Sequence, residues 1–383
     1  MKKILAFLLI FILPLSVYAN ELDLAPTAKG AIIMEASSGQ IIYEKNPHQK
    51  LAPASMTKIM TMLLIIEDIE KGSLAWDERI RASAEASGMG GTQIYLETGE
   101  IMSVEDLFKG IAIASANDAA VAMAERIAGT EQAFVNRMNK RAQAMGLKNT
   151  NFKNCHGLDE DNHYSTPYDI AMMARELVKH EIILKFTSIY EDNLRSDTDR
   201  RFWLVNTNKL LLLYHGVDGL KTGFTDAAGS CLTVTAKKDN MRLIGVLMGY
   251  PDVGSRNTEA IKMLDYGYNQ YTAQTLLAKN SHLGKVEIDK GRKKYAQIIA
   301  MDDAIILNKK GDGARKNITY DLKITKTKAP LKVGEKVGVV IIKYHKKVIA
   351  EVDITVQEDV KRATIFNLYL RYLSDLFVGD LNF

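Results

Sequence analysis

Residues 51–72 read LAPASMTKIMTMLLIIEDIEKG. Ile59, Met62, Leu63, Ile66 and Ile69 recur at helical spacing, and Met60, Leu64 and Ile65 widen that stripe until almost every side is apolar. A helix of this kind, expected from Ser55 to about Lys71, belongs at the centre of a domain with other elements packed round it. Its start is unusual. Ser55 stands where a cap would, yet three residues on comes Lys58, not the Glu or Gln of a capping box. A lysine in the first turn meets the positive end of the helix dipole. Either Lys58 is a solvated residue tolerating a small penalty, or its awkward charge has a use.

Upstream, residues 29–45 (KGAIIMEASSGQIIYEK) read as a hairpin turning at Ser37-Ser38-Gly39. Downstream, residues 77–215 are mostly helical. VEDLFKGIAIASANDAAVAMAERIAG suggests two helices joined near Ala114–Asp118, the second closed by Gly129. EQAFVNRMNKRAQAMG and TPYDIAMMARELVKH are further amphipathic helices, the latter with Thr166 able to cap and Pro167 at its first position. From Gly219 the pattern changes to strands: LKTGFT, then two β runs joined by a polar turn at Lys238–Asn240, then a helix over SRNTEAIKMLDYGYNQY. Hairpins connect these strands, so the fold class expected is α/β (α+β) with an antiparallel sheet.

Beyond about Lys279 the sequence alternates between short β runs and Gly-, Asp- and Pro-containing turns, a small sandwich-like β domain. Residues 281–358 carry 17 basic and 10 acidic side chains, whereas the remainder is mildly acidic. Helical periodicity returns in the tail, where Ile365, Leu368, Tyr369, Tyr372, Leu373 and Leu376 form one face. Arg362, Arg371 and Asp375 argue against a spanning helix; packing on the core is one reading, and an interfacial anchor is preferred for an exported chain. Export is read from the N-terminus: Lys2 and Lys3, an apolar run from Ile4 to Leu15, and Val17-Tyr18-Ala19 ahead of a cleavage point. That run is short for a permanent membrane helix. The division expected is therefore a signal segment over 1–19, a catalytic domain over 20–278, a β domain over 279–358 and an anchor helix over 359–383.

Composition excludes as much as it suggests. A net charge of +4 over 383 residues, falling to +2 once Lys2 and Lys3 are removed, gives no reason to propose nucleic acid. No zinc-ligand cluster or CxxC pair occurs, so no metal or other cofactor is expected. Cys155 and Cys231 are equally compatible with one disulfide or two buried thiols.

Residues i and i+3 share a helix face, so the Lys58 amine can approach the Ser55 hydroxyl. Desolvation and the dipole would both favour a neutral amine there, which is what a general base for serine requires. Ser115-Ala116-Asn117 falls in the break between two helices, where side chains can point into a cleft. Lys221-Thr222-Gly223 opens the strand region, where glycine lets a substrate backbone approach. Taken singly, each triplet is also an ordinary set of turn or strand-end polar groups. In the order Ser-x-x-Lys, Ser-x-Asn, Lys-Thr-Gly they form the signature of β-lactamases and penicillin-binding proteins.

The stretches ASMTK, SANDAA, CHGLDEDNHYSTPYDIAMMAREL and GVDGLKTGFTDAAGSCLTVTA resemble the low-molecular-mass penicillin-binding proteins of the D-alanyl-D-alanine carboxypeptidase A type. The resemblance extends over nearly the whole mature chain. It implies a serine β-lactamase/penicillin-binding transpeptidase-like domain, a C-terminal β domain and an amphipathic anchor. It also implies acyl-enzyme chemistry on the D-Ala-D-Ala end of peptidoglycan stem peptides, with β-lactams as acylating inhibitors. Carried over, Ser55 is the nucleophile and Lys58 its base. Ser115 relays a proton and Asn117 holds the substrate amide. Lys221, Thr222 and Gly223 line the site that takes the terminal carboxylate, and the N–H groups of Ser55 and Phe224 make the oxyanion hole. Arg256 assists with the carboxylate or is a helix-surface arginine. His156 is read as structural, not as part of a Ser-His pair.

Two departures are visible: Ala116 where glycine is frequent, and the Phe224 ring beside the proposed hole. A β-lactamase is disfavoured because no Glu-x-x-Leu-Asn sequence falls between Asn117 and Lys221. A catalytically silent wall-binding protein is disfavoured by intact Ser55, Lys58 and Lys221.

Overall fold

The computed structural model describes residues 22–370. The segment read as a signal lies outside them, as does the tail from 371 onward. The N-terminal hairpin is β1 (Gly30–Glu35) and β2 (Ile41–Lys45). A single 3-10 turn over Ala54–Thr57 leads into α1 (Lys58–Glu70). There follow α2 (Val104–Lys109), α3 (Asn117–Ala128), α4 (Glu131–Ala144) and α5 (Pro167–Leu177). Thr166 caps α5 through its side chain, which accepts the Asp169 N–H, with Pro167 at the first position. Strands β3 (Val217–Thr225), β4 (Gly229–Lys238) and β5 (Met241–Tyr250) complete an antiparallel sheet in the order β2-β1-β5-β4-β3. Helix α6 (Val253–Gln270) packs back across it.

Alternation along the strands explains why both faces are covered. In β1, Ile32 and Met34 join the core around α1, while Ala31 and Ile33 face the core under α6. Helix α1 is buried on every side from Lys58 to Ile66, between the sheet and α3, α4 and α5. Each fully buried Leu, Ile or Met there contributes about 1.5–3 kcal/mol.

The β domain holds a five-stranded antiparallel sheet, in the order β7-β8-β12-β11-β10, and a two-stranded pair, β6-β9. Its strands are β6 (Tyr271–Leu277), β7 (His282–Glu287), β8 (Tyr295–Ala300), β9 (Ala304–Lys309), β10 (Ile318–Ile324), β11 (Gly338–Tyr344) and β12 (Lys347–Val356). Two structural details bear on the expected division. Strand β6 precedes the break expected at 279 yet pairs with β9 beyond it, because a seven-residue strand following directly on a helix offers no composition change to mark the join. The tail helix was expected from 359, but Val360 and Arg362 bridge to Leu331 and Gly291, and helix begins only at Ile365. Among the described residues no helix is long and apolar enough to cross a membrane.

Candidate active site

Ser55 lies in the 3-10 turn, half-buried, and its side chain caps nothing. The turn is reached through Ala54, which sits at φ +47, an unfavourable value for a residue with a Cβ. Two glycines let that turn fit. A Cβ on Gly157, itself at φ +95, would fall 1.9 Å from the Ala54 carbonyl oxygen, and a Cβ on Gly223 would fall 3.1 Å from the Ser55 nitrogen. Gly157→Ala is therefore expected to push the Ala54–Ser55 segment out of place. A displacement near 1 Å costs roughly 100-fold in rate, to be read as slower covalent labelling by a fluorescent penicillin.

Lys58 is wholly buried, and its Nζ lies 3.1 Å from Ser55 Oγ, 2.6 Å from Asn117 Oδ1 and 2.6 Å from the His156 carbonyl oxygen. Burial pushes its amine down to about 7, against the opposing pull of Cys155 and Asp118. This geometry sorts the protons. Asn117 Oδ1 and the carbonyl can only accept, so a neutral amine commits its two hydrogens to them. Its lone pair is then left for the one neighbour able to donate, the Ser55 hydroxyl.

The second triplet is delivered by an irregular turn. Residues Gly110–Ala114 form one π-helical turn after α2, which ends with Ser115 in the left-handed region at φ +68. The Ser115 hydroxyl makes no hydrogen bond among the described residues, whereas Asn117 bridges Lys58 and, through Nδ2, the Gly90 carbonyl at 2.8 Å. Asp118 is fully buried and accepts the N–H groups of Ile94, Leu96 and Ala119, which fastens the segment 89–96 over Asn117.

From the opposite wall come Lys221, Thr222 and Gly223 on β3. Lys221 is buried and donates to the Thr222 carbonyl at 3.0 Å; burial holds its amine well below the ordinary lysine value, with Lys58 and Arg256 adding to the effect. Thr222 Oγ1 donates to Thr207 Oγ1 at 2.6 Å. The Phe224 side chain is 65% exposed, at the rim of the wall. Arg256 is not a helix-surface residue. It is buried and donates to the Cys231 carbonyl at 3.0 Å, to Ser230 Oγ at 3.3 Å and to Asn257 Oδ1. Its charge bears on Lys221 from within the protein.

His156 forms no hydrogen bond to Ser55. Burial holds its ring neutral, down to about 3, and Nδ1 accepts the Leu158 N–H. Its contribution is the carbonyl that receives Lys58, which no side-chain pattern reveals. Asp118, Gly91 and Gly157 were likewise not singled out in the sequence. Asp118 directly follows the Ser-x-Asn triplet, and a Cβ on Gly91 would fall 2.7 Å from Asn117 Nδ2. Cys155 and Cys231 are both free and buried.

Comparison with known proteins shows the family. Residues 18–252 match the family described as D-alanyl-D-alanine carboxypeptidase, and residues 271–362 match the penicillin-binding protein 5 C-terminal domain. The chain belongs to the D-alanyl-D-alanine carboxypeptidase family. It is 46% identical to D-alanyl-D-alanine carboxypeptidase DacF of Bacillus subtilis, over 98% of this chain and 99% of that one. It is 33% identical to DacA of Haemophilus influenzae, over 89% and 87%. Penicillin-binding protein 5 from Haemophilus influenzae superposes with TM-score 0.68 at 31% identity, covering 88% of this chain and 98% of that chain. Penicillin-binding protein D2 from Listeria monocytogenes, solved in an ampicillin-bound form, superposes with TM-score 0.58 at 31% identity over 64% of this chain and 100% of that chain. The fold is thus penicillin-binding transpeptidase-like with an all-β C-terminal domain, and the chain is a serine carboxypeptidase of peptidoglycan metabolism.

Proposed function

We propose that Ser55 attacks the carbonyl of the penultimate D-Ala of a peptidoglycan stem peptide, that the terminal D-Ala leaves, and that water then releases the shortened peptide. The observation carrying this reading is the buried Lys58 amine, 2.6 Å from two groups that can only accept and 3.1 Å from the Ser55 hydroxyl. Lys58 takes the hydroxyl proton. Ser115, its hydroxyl uncommitted, passes a proton to the departing amine. Asn117 holds the substrate amide, and the N–H groups of Ser55 and Phe224 receive the developing oxyanion. The D-Ala carboxylate is taken by Thr222 and by Lys221, whose charge an arriving anion restores, with Gly223 leaving room beside the Ser55 turn. Arg256 supports that positive field from behind the strand. A β-lactam amide acylates the same serine.

The proposed division places the catalytic unit from Asn20 to Gln270 and the β unit from Tyr271, after cleavage of residues 1–19. Export, and attachment to the outer face of the membrane by the tail, complete the reading. Ile365 and Phe366, 88% and 67% exposed where that helix begins, support it. Mass spectrometry of products from a defined pentapeptide muropeptide tests the chemistry. The loss of one terminal alanine per stem is expected; unchanged substrate, or cleavage only of cross-linked dimers, would contradict it.

A further inference from the structure

Three segments of the β domain are tied together at one end. Ala329 donates its N–H to the Asp289 carbonyl, Arg292 to the Lys361 carbonyl, Ala363 to the Lys290 carbonyl, and Leu331 and Val360 exchange both bonds. Residues 289–293, 326–335 and 358–363 thereby form one continuous surface carrying eight basic and four acidic side chains. All eight are exposed: Lys290, Arg292, Lys293, Lys326, Lys328, Lys332, Lys361 and Arg362. Two of the acids are neutralised, Glu335 by Lys326 and Glu358 by Lys293. Six of the cations form no ion pair among the described residues.

The location matters as much as the charge. The β11–β12 hairpin, at Tyr344–Lys347, lies toward the catalytic domain, sharing a cleft with Gln40 and Tyr271. The basic surface closes the other ends of the same strands, beyond Ile324 and Gly338. Seven strand residues separate the two, roughly 20 Å. The tail helix leaves from this same surface, two residues after Ala363. Pro330 and the half-exposed Val333 form a shallow apolar hollow rimmed by Lys326, Lys328 and Lys332.

We propose that this basic collar is a docking surface for anionic phospholipid headgroups, which holds the end of the β domain remote from the catalytic domain against the membrane. The proposal rests on the tail reading for its position but not for its charge. Collar lysines meet headgroup phosphates, Val333 and Pro330 reach the interface, and Ile365, Phe366, Tyr369 and Leu370 enter between the acyl chains. Each lysine near an anionic surface strengthens binding roughly fivefold at low salt.

The test uses the chain from Asn20 onward and sedimentation with two kinds of vesicle, phosphatidylcholine alone and phosphatidylcholine with phosphatidylglycerol. The wild type is expected to bind the anionic vesicles at least about tenfold more tightly, a preference lost as salt is raised. A variant with Lys290→Gln, Lys328→Gln, Lys332→Gln and Lys361→Gln should bind both kinds as the wild type binds neutral ones, with penicillin labelling unchanged. Wild-type binding to anionic vesicles by that variant, or equal binding of the wild type to both kinds, overturns the collar. So does loss of retention on lipid-free cell walls with vesicle binding intact, which would make a wall polymer the occupant. A chain ending at Thr364 judges the tail separately. If it keeps its binding to neutral vesicles the tail reading fails, while the charge-dependent difference still decides the collar.

Discussion

Ser55→Ala is expected to remove both D-Ala release and covalent labelling by a fluorescent penicillin, a loss of about 10⁶-fold, the scale seen when a serine hydrolase loses its nucleophile. The substitution isolates chemistry from folding. Ser55 Oγ contacts Lys58 at 3.1 Å and caps no helix, so its removal leaves the Lys58 bonds to Asn117 and His156 in place. The change in thermal stability should stay within about 0.5 kcal/mol, the range for substitutions away from caps and cores. Non-covalent substrate binding should persist, since Lys221, Thr222 and the β3 strand edge are untouched. Mass spectrometry of the intact chain after penicillin treatment gives the answer directly. An adduct on the alanine variant would move the nucleophile elsewhere, and Ser115, with its uncommitted hydroxyl, would be the first residue to examine.

What the sequence carried, and what it did not, divides along physical lines. Helix α1 was legible because its apolar positions exceed one stripe, a pattern only a central helix satisfies, and it is buried from Lys58 to Ile66. The β1–β2 and β4–β5 hairpins were legible from turn chemistry, Ser37-Ser38-Gly39 and Lys238–Asn240. The spacing of Ser55 and Lys58 implied their contact. The other two partners of Lys58 came from 59 and 98 residues away, and one of them is a backbone carbonyl with no residue signature. The π turn that presents Ser115 was hidden because GIAIA reads as ordinary helix. Arg256 was ambiguous for a related reason: one charged residue on an amphipathic helix looks solvated, and only the packing of α6 on β4 and β5 places it against Cys231. The passage from helix to strand at Gln270 left no sequence signal because no linker marks it.

Lys58→Arg should also cripple acylation, though by less than loss of the serine does. The guanidinium keeps the charge but does not release its proton in the accessible pH range, so it cannot accept one from Ser55. A fall in acylation of about 10²–10⁴ is expected, the usual worth of a general base. In the wild type the second-order rate of penicillin acylation should rise with pH through a midpoint near 7, where the buried amine loses its proton, and level off above it. The arginine variant should lack that rise. The same shift has a consequence for stability with a definite sign. The folded amine titrates near 7 and the unfolded one near 10.5, so between those values the unfolded chain binds the extra proton. Stability from this group therefore increases with pH across that window, by up to about 1.4 kcal/mol per pH unit, and its cost is complete below about 7. Lys58→Met removes the titration but leaves Asn117 Oδ1 and the His156 carbonyl without their donor, so its stability at a single pH mixes two opposed terms of similar size. The difference between wild type and Lys58→Met, followed by urea unfolding from pH 7 to pH 10, separates them. It should move steadily in favour of the wild type, and Lys221, relieved of its neighbour in the variant, pushes the difference the same way. A flat difference would mean the amine stays charged in the fold, and a charged amine cannot be the base that activates Ser55.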